Sequence, residues 1–406
     1  MSQLIHDDTI DHHVNARACR DARFAERLRA VLTQQAMQTA RDEIRTWPGY
    51  HVTPLVDLAG VAAHTRITSI HYKDEDKRFD LHSFKALGGA YAVLRLLKRQ
   101  LPSATTEELL AGKHRDAATH VTVCCATDGN HGRSVAWGAH LFGVACVIYL
   151  HHTVSQARED AIRRFGAEVR RVRGNYDDAI RQAAEDADTH GWFVVSDTSY
   201  PGYMSIPRDV MQGYTVMIDE AVQQLPQPPT HCFIQGGVGG LAAATVAQLW
   251  EAYGERCPRI VVVEPDQAAC LITSAREGRP TPVHGDLDTL MAGLACGETS
   301  LLAWEILDQG VDDYLTITDH AAVDAMRLLA NGIDGDIPLV AGESAVAGLA
   351  ALLIARQDEA LSAGLGLDTD SRVLLIGSEG ATDQALYERL VGLAVEDIDT
   401  GAKQHA

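Results

Sequence analysis

An α/β fold, with two open, twisted, mostly parallel sheets flanked by helices, is the class this sequence predicts, and three observations predict it. From 121 to 196 short β-rich runs alternate with helical ones, the pattern of a parallel sheet wrapped by right-handed crossovers. The same alternation restarts at 231. Several strands end in a glycine-bearing turn that leads straight into a helix. A small α/β domain over 89–205 and a large domain made of 1–88 and 206–406 are expected.

The start of the chain is irregular, and apolar periodicity then predicts one helix over 20–45, ended near Trp47-Pro48-Gly49. Two short strands follow, over 52–58 and 67–72, and a charged stretch from Lys73 to Arg78 separates them from what comes next. From Ala86 onward Leu87, Ala90, Val93, Leu94 and Leu97 recur at helical steps. After a polar connector near 102–115 come a strand (121–126), a helix (130–142), a strand (145–150), a helix (155–165), a strand (168–172), a helix (177–190) and a strand (192–196). The second series opens with a long helix at Ile206-Pro207 that stops before Pro226, Pro228 and Pro229. It continues with a strand (231–235), a helix (240–253) and a strand (260–264). Helices near 301–307, 321–330 and 344–356 follow, and then a polar linker, a strand (373–377) and a charged, frayed end.

Asp and Glu number 55 against 35 Lys and Arg, a formal net charge of −20, which disfavours nucleic acid and anionic membranes as partners. The first residues are polar and acidic rather than a secretory signal, so a cytoplasmic location is expected. The uncharged run from His231 to Trp250 reaches membrane length, but glycines and glutamines break it into strand, turn and buried helix. Eight cysteines with no Cys-x-x-Cys fit reduced, buried thiols rather than disulfides or a zinc cage. His12-His13 and His151-His152 are adjacent pairs that cannot easily share one ion, and they read as solvated or capping residues; no metal site is expected.

Chemistry is sought at the strand ends and at one lysine. Lys85 lies among Phe84, Leu87 and small residues where a loop becomes a helix. Burial disfavours an ammonium and so favours a nucleophilic or Schiff-base amine; the plain alternative is a snorkelling side chain. In parallel sheets ligands sit beyond the carboxyl ends of strands. The turn Thr127-Asp128-Gly129-Asn130-His131 offers amides and an ionisable acid at a helix start, or simply a helix cap. Gly236-Gly237-Val238-Gly239-Gly240 lets backbone amides ring a phosphate. It also matches a dinucleotide fingerprint with Glu264 as the ribose acid, and a tight structural turn explains it as well. Asp197, after the strand ending at Ser196, is a second candidate acid or base, although loop aspartates commonly form turns. Ser378, in Gly377-Ser378-Glu379-Gly380, can serve a heterocyclic nitrogen or close a turn.

Together, a lysine in Ser83-Phe84-Lys85, the glycine loop, Asn130 in a strand-helix turn and a late strand-end serine resemble the fold-type II pyridoxal-phosphate enzymes, the tryptophan synthase β-subunit and threonine dehydratase group. The resemblance covers nearly the whole chain, in order, and implies an active site between the two domains, with the larger one binding the cofactor. It implies that Lys85 carries pyridoxal 5'-phosphate as an imine and Phe84 packs near the ring. Asn130 would meet the phenolic oxygen, the amides of Gly236, Gly237, Val238, Gly239 and Gly240 the phosphate, and Ser378 the pyridine nitrogen.

Finer features are similar to the diaminopropionate ammonia-lyase family: Thr127-Asp128-Gly129-Asn130-His131, Met211-Gln212-Gly213-Tyr214, Met291-Ala292-Gly293-Leu294 with Cys296-Gly297, and Glu379-Gly380. The family's two site aspartates then fall on Asp128 and Asp197. Tyr200-Pro201 departs from the family's Trp-Glu, which bears on the substrate side chain. The resemblance implies α,β-elimination of 2,3-diaminopropionate, with Lys85, Asp128 and Asp197 moving protons, through an aminoacrylate to pyruvate and ammonia. It also implies a homodimer acting on a small amino acid. A serine, threonine or hydroxyaspartate dehydratase of the same cofactor class competes with this. A nicotinamide (NAD) dehydrogenase would use Gly237, Gly239 and Glu264 but leaves Lys85 and Asp128 without a role. A non-catalytic binding member of the fold would leave the whole set idle.

Overall fold

The two series of strands predicted from the sequence become two separate sheets. The computed structural model describes residues 4–6, 9–127, 129–152, 154–174 and 176–398; Asp128 lies outside the described residues. By packing, the chain forms two units, one of Met1–Val31, Val52–His82 and Met217–Ala406, the other of Leu32–His51 and Ser83–Val216. The sequence pattern set the breaks at 88/89 and 205/206, whereas packing sets them at 82/83 and 216/217 and assigns 32–51 to the second unit. Side-chain contacts explain that assignment. Trp47 packs edge-on against Trp137 (5.9 Å) and Phe142 (5.7 Å), and Glu43 pairs with Lys98.

The first unit holds a seven-stranded sheet in the order Asp11–Val14, Asp313–Ile317, Arg259–Pro265, His231–Gln235, Arg372–Gly377, Ser69–Asp74, Leu55–Asp57. Its five inner strands are parallel and its two edges antiparallel. His231–Gln235 is buried at every position, which is why its sequence is apolar without alternation. Because Arg372–Gly377 runs parallel beside it, the glycine loop after Gln235 and Ser378 after Gly377 leave the same edge of the sheet.

Two strands in this sheet were not predicted. Asp313–Ile317 begins with a fully buried aspartate, which Arg259 Nε neutralises at 2.6 Å and His12 Nε2 meets at 2.9 Å, both from distant parts of the chain. Asp11–Val14 carries His12-His13, so His12 is a strand residue bonded to Asp313 rather than a solvated or capping one. The charged stretch from Lys73 to Arg78 is largely buried. Lys73 Nζ donates to Glu220 (2.8 Å) and the Thr53 carbonyl (2.8 Å) inside the protein and to the exposed Gln224 (2.9 Å). Arg78 donates to Glu75 through Nε (2.7 Å) and to Glu220 through Nη1 (3.0 Å) and Nη2 (2.7 Å). Two cations thus face two carboxylates with their hydrogen bonds made, the condition under which buried charge is tolerated.

The second unit holds a four-stranded parallel sheet in the order Glu168–Val172, Ala145–His151, Thr122–Ala126, Phe193–Val194. The helix Lys85–Gln100 packs on the helix Asn130–Phe142 through small residues. A Cβ at Gly89 would lie 1.9 Å from Ser134 Oγ, and one at Gly138 2.6 Å from Ala90 Cα. The single helix predicted over 20–45 is two, Ala22–Val31 and Gln34–Ile44. Thr33 breaks it: the residue is extended and its hydroxyl accepts from the Ala36 amide (3.1 Å), so a cap outcompetes continuation. None of the eight cysteines forms a disulfide; five are buried as expected, whereas Cys257 and Cys296 are half-buried and Cys19 is exposed. Among the described residues no helix is long and apolar enough to cross a membrane.

Candidate active site

Parallel pairing places the ends of Phe193–Val194 and Thr122–Ala126 side by side, with the Val195 amide donating to the Cys124 carbonyl (2.8 Å). Asp197 and the Asn130-His131 turn follow directly. The Tyr203 hydroxyl pins this strand end, accepting from the Ser196 amide (2.9 Å) and donating to the Val194 carbonyl (2.8 Å). Lys85 opens its helix, and its Nζ donates to Asp197 Oδ2 at 2.6 Å. Both side chains are 18% exposed, so the lysine neither snorkels into solvent nor sits in wholly apolar surroundings.

Two aromatic rings lie on one side of the amine: Nζ is 5.5 Å from the Phe84 centroid and 5.8 Å from that of Tyr214, and the two rings pack on each other at 4.6 Å. Gly88 and Gly213 let this arrangement close. A Cβ on the first would sit 2.3 Å from Tyr214 Cε1, and on the second 2.0 Å from the Leu87 carbonyl oxygen. Burial works to raise the Asp197 carboxyl, but the Lys85 ammonium and His131 outweigh it and hold the group well below the usual carboxylate range.

Asn130 is the first residue of its helix. Thr127 Oγ1 closes the turn by accepting from the Gly129 (3.1 Å) and Gly132 (3.2 Å) amides. Arg133 Nη2 donates to Asn130 Oδ1 (2.9 Å), which makes the amide nitrogen the end that can serve an external acceptor.

In the other unit, Gly237 (φ +63°) and Gly239 (φ +96°) take backbone conformations that side chains resist. A Cβ on Gly236 would lie 2.7 Å from Glu264 Cγ. The helix Gly240–Tyr253 starts here with no side-chain cap, so its first amides are left for an anion. Gln235, which precedes the loop, donates through Nε2 to Ser378 Oγ (2.8 Å) and the Ile376 carbonyl (2.8 Å). The Ser378 hydroxyl accepts there and keeps its own hydrogen for another acceptor such as a ring nitrogen. Glu264 is not a ribose acid. It is fully buried, and its two oxygens accept from the Leu271 and Ile272 amides (2.8 Å each) at the start of the helix Cys270–Glu277.

The structure thus brings Lys85, Phe84 and Asp197 together in one unit with Asn130 on the adjoining turn, and places the loop Gly236 to Gly240 beside Ser378, through Gln235, in the other. Sequence reasoning missed His131, Tyr214 and Gln235 as neighbours of these groups. His131 and Tyr214 stand within motifs already singled out, and Gln235 is a polar residue ending an otherwise apolar strand.

A two-sheet α/β chain with a lysine amine beside a pair of aromatic rings, an uncapped glycine-loop helix and a strand-end hydroxyl offers groups whose chemistry suits pyridoxal phosphate. A family model described as pyridoxal-phosphate dependent enzyme matches residues 46–378, and the chain belongs to that class. Over 369 residues it is 39% identical to the diaminopropionate ammonia-lyase of Escherichia coli strain K12, covering 89% of this chain and 92% of the relative. The Salmonella typhimurium diaminopropionate ammonia-lyase is also 39% identical, over 358 residues, covering 85% and 89%. A crystal structure of the Escherichia coli diaminopropionate ammonia lyase, in complex with an aminoacrylate-PLP azomethine reaction intermediate, superposes with a TM-score of 0.86 at 36% identity, covering 95% of this chain and 98% of that one. Within the class, the chain belongs to the diaminopropionate ammonia-lyase family.

Proposed function

We propose that this protein carries out the pyridoxal-phosphate-dependent α,β-elimination of 2,3-diaminopropionate, through an aminoacrylate, to pyruvate and ammonia. The observation that carries its chemistry is the Lys85–Asp197 contact at 2.6 Å beside the packed Phe84 and Tyr214 rings. When bound, the cofactor delocalises the electron pair left on Cα as its proton departs. Lys85 anchors the cofactor and, once released by the incoming amine, takes the α-proton at Nζ. Asp197 orients that amine and stays ionised, the state that also attracts a cationic β-ammonium group. Asp128, outside the described residues, is assigned the second acid-base role on the family pattern.

Phe84 packs at the ring, Asn130 donates to the phenolic oxygen and Ser378 to the pyridine nitrogen. The amides of Gly236, Gly237, Val238, Gly239 and Gly240 hold the phosphate, and the unit carrying them is the cofactor-binding one. The strongly acidic chain works on a free amino acid in the cytoplasm, as a homodimer, without nucleic-acid or membrane partners. Pyruvate release from diaminopropionate, set against serine and threonine, tests the assignment. Diaminopropionate should be turned over far faster than either hydroxyamino acid, and a preference for serine or threonine would replace the lyase with a dehydratase.

A further inference from the structure

Tyr214 carries a hydroxyl that the packing around it does not require. The residue is 1% exposed. Its ring lies against Phe84 at 4.6 Å, and so close to Gly88 that a Cβ there would sit 2.3 Å from Cε1. A phenylalanine would make the same ring contacts. Yet Oη is buried and, among the described residues, meets no hydrogen-bond partner. An unmet polar atom inside a protein is destabilising, and its presence asks for a reason. The charges that act on the hydroxyl are those of Lys85 and Asp197, while burial raises it and keeps it neutral. The ring centroid is 5.8 Å from Lys85 Nζ, which itself lies 2.6 Å from Asp197 Oδ2. A neutral hydroxyl beside an amine and a carboxylate, with no structural bond to make, is suited to a partner that arises during the reaction.

The inference rests on the elimination reading, in which Lys85, released by the incoming amine, takes the α-proton. A lysine acting as a base is a neutral amine, with two N–H bonds and one lone pair. Asp197 Oδ2 stands where it accepts one of those hydrogens. With the other unheld, the amine turns about Cε–Nζ and its lone pair has no fixed direction. We propose that the Tyr214 hydroxyl accepts the second N–H, so that Asp197 and Tyr214 together aim the lone pair of Lys85 at the substrate's α-hydrogen. In the transfer Cα–H breaks and a third Nζ–H forms, and the electron pair of the broken bond passes to the cofactor. The ammonium so made keeps both acceptors, and neither Asp197 nor Tyr214 gains or loses a proton. Because the two acceptors are in place beforehand, the base needs no reorganisation at the moment of reaction. Tyr214 is a positioning residue acting through Lys85.

The test compares wild type with Tyr214→Phe, which loses the hydroxyl and keeps the ring. In the cofactor-free state the variant's thermal midpoint should equal or exceed that of wild type, since the hydroxyl is unmet there. Visible absorbance on titration with pyridoxal phosphate should show unchanged attachment. With 2,3-diaminopropionate, kcat should fall by about tenfold with KM little changed, the weight of one hydrogen bond at a reacting nitrogen. Deuterium at the α-carbon should slow the variant at least as strongly as wild type, because proton removal is the step impaired. An unchanged kcat overturns the proposal, and so does a smaller isotope effect. A lower midpoint without cofactor would make the hydroxyl structural, and weaker attachment would assign it to the cofactor; either overturns the proposal as well. Wild type that leaves diaminopropionate unused but releases pyruvate from serine refutes the activity instead, and the same comparison then runs on serine, whose α-proton leaves in the same way.

Discussion

Replacing Asp197 with asparagine removes one charge from the centre of the site while keeping its shape. The carboxylate meets Lys85 Nζ at 2.6 Å, lies 3.9 Å from His131 and is held well below the usual carboxylate range, so it is an anion throughout the physiological pH span. Asparagine retains an oxygen that accepts but cannot carry the charge. Loss of one preorganised electrostatic group in a site typically lowers the rate by about 10² to 10³-fold. At about 1.4 kcal/mol per decade that is roughly 3–4 kcal/mol of transition-state stabilisation. Steady-state pyruvate release should therefore show kcat down by at least about a hundredfold. Visible absorbance is expected to show that the cofactor still attaches, and thermal unfolding that the chain still folds. A kcat within a few-fold of wild type, with the cofactor bound, would refute the role given to Asp197.

Other perturbations follow from the same geometry. Glu220→Gln leaves Lys73 and Arg78 facing Glu75 alone inside the protein, at a cost of about 3–5 kcal/mol, and thermal scanning should show a midpoint lower by several degrees; an unchanged midpoint would mean the network relaxes freely. Gly213→Ala forces a Cβ to 2.0 Å from the Leu87 carbonyl and should destabilise by about 1–3 kcal/mol or more, with loss of activity, by thermal scanning and pyruvate assay. Gly239→Ala strains a position at φ +96° at the uncapped helix start, and equilibrium titration should show cofactor affinity reduced by about tenfold or more. Burial pushes Glu264 up to about 8 from 4.5, so it favours the folded state at low pH and that contribution is lost as pH rises through about 8. Relative to wild type, Glu264→Gln should therefore gain in thermal midpoint between about pH 6 and pH 9; a constant difference would show that Glu264 is ionised throughout.

Local signals carried much of the architecture. The strands Glu168–Val172 and His231–Gln235 and the helices Asn130–Phe142 and Gly240–Tyr253 fall where apolar runs and glycine turns predict them, because each boundary is set by residues adjacent in sequence. What escaped depended on partners far along the chain. The strand Asp313–Ile317, which was not predicted, starts at a carboxylate that Arg259 and His12 meet from distant parts of the chain. The run from Lys73 to Arg78 reads only as a charged separator, and its burial depends on Glu220 and Thr53. At the site, Lys85 and Asp197 were each visible as strand-end or helix-start oddities, but their contact is a product of sheet order. So is the approach of His131, which follows from the pairing of Phe193–Val194 with Thr122–Ala126. The loop Gly236 to Gly240 was legible with three meanings, a phosphate ring, a dinucleotide fingerprint and a tight turn. The burial of Glu264 against two amides, which only the tertiary structure supplies, removes the dinucleotide one.

The bond between Lys85 and the cofactor is tested most directly by trapping it. Borohydride reduction of the holoenzyme, digestion and mass spectrometry should find the pyridoxyl group on the peptide that carries Lys85. A label on another lysine, or no label on a fully loaded enzyme, would contradict the account.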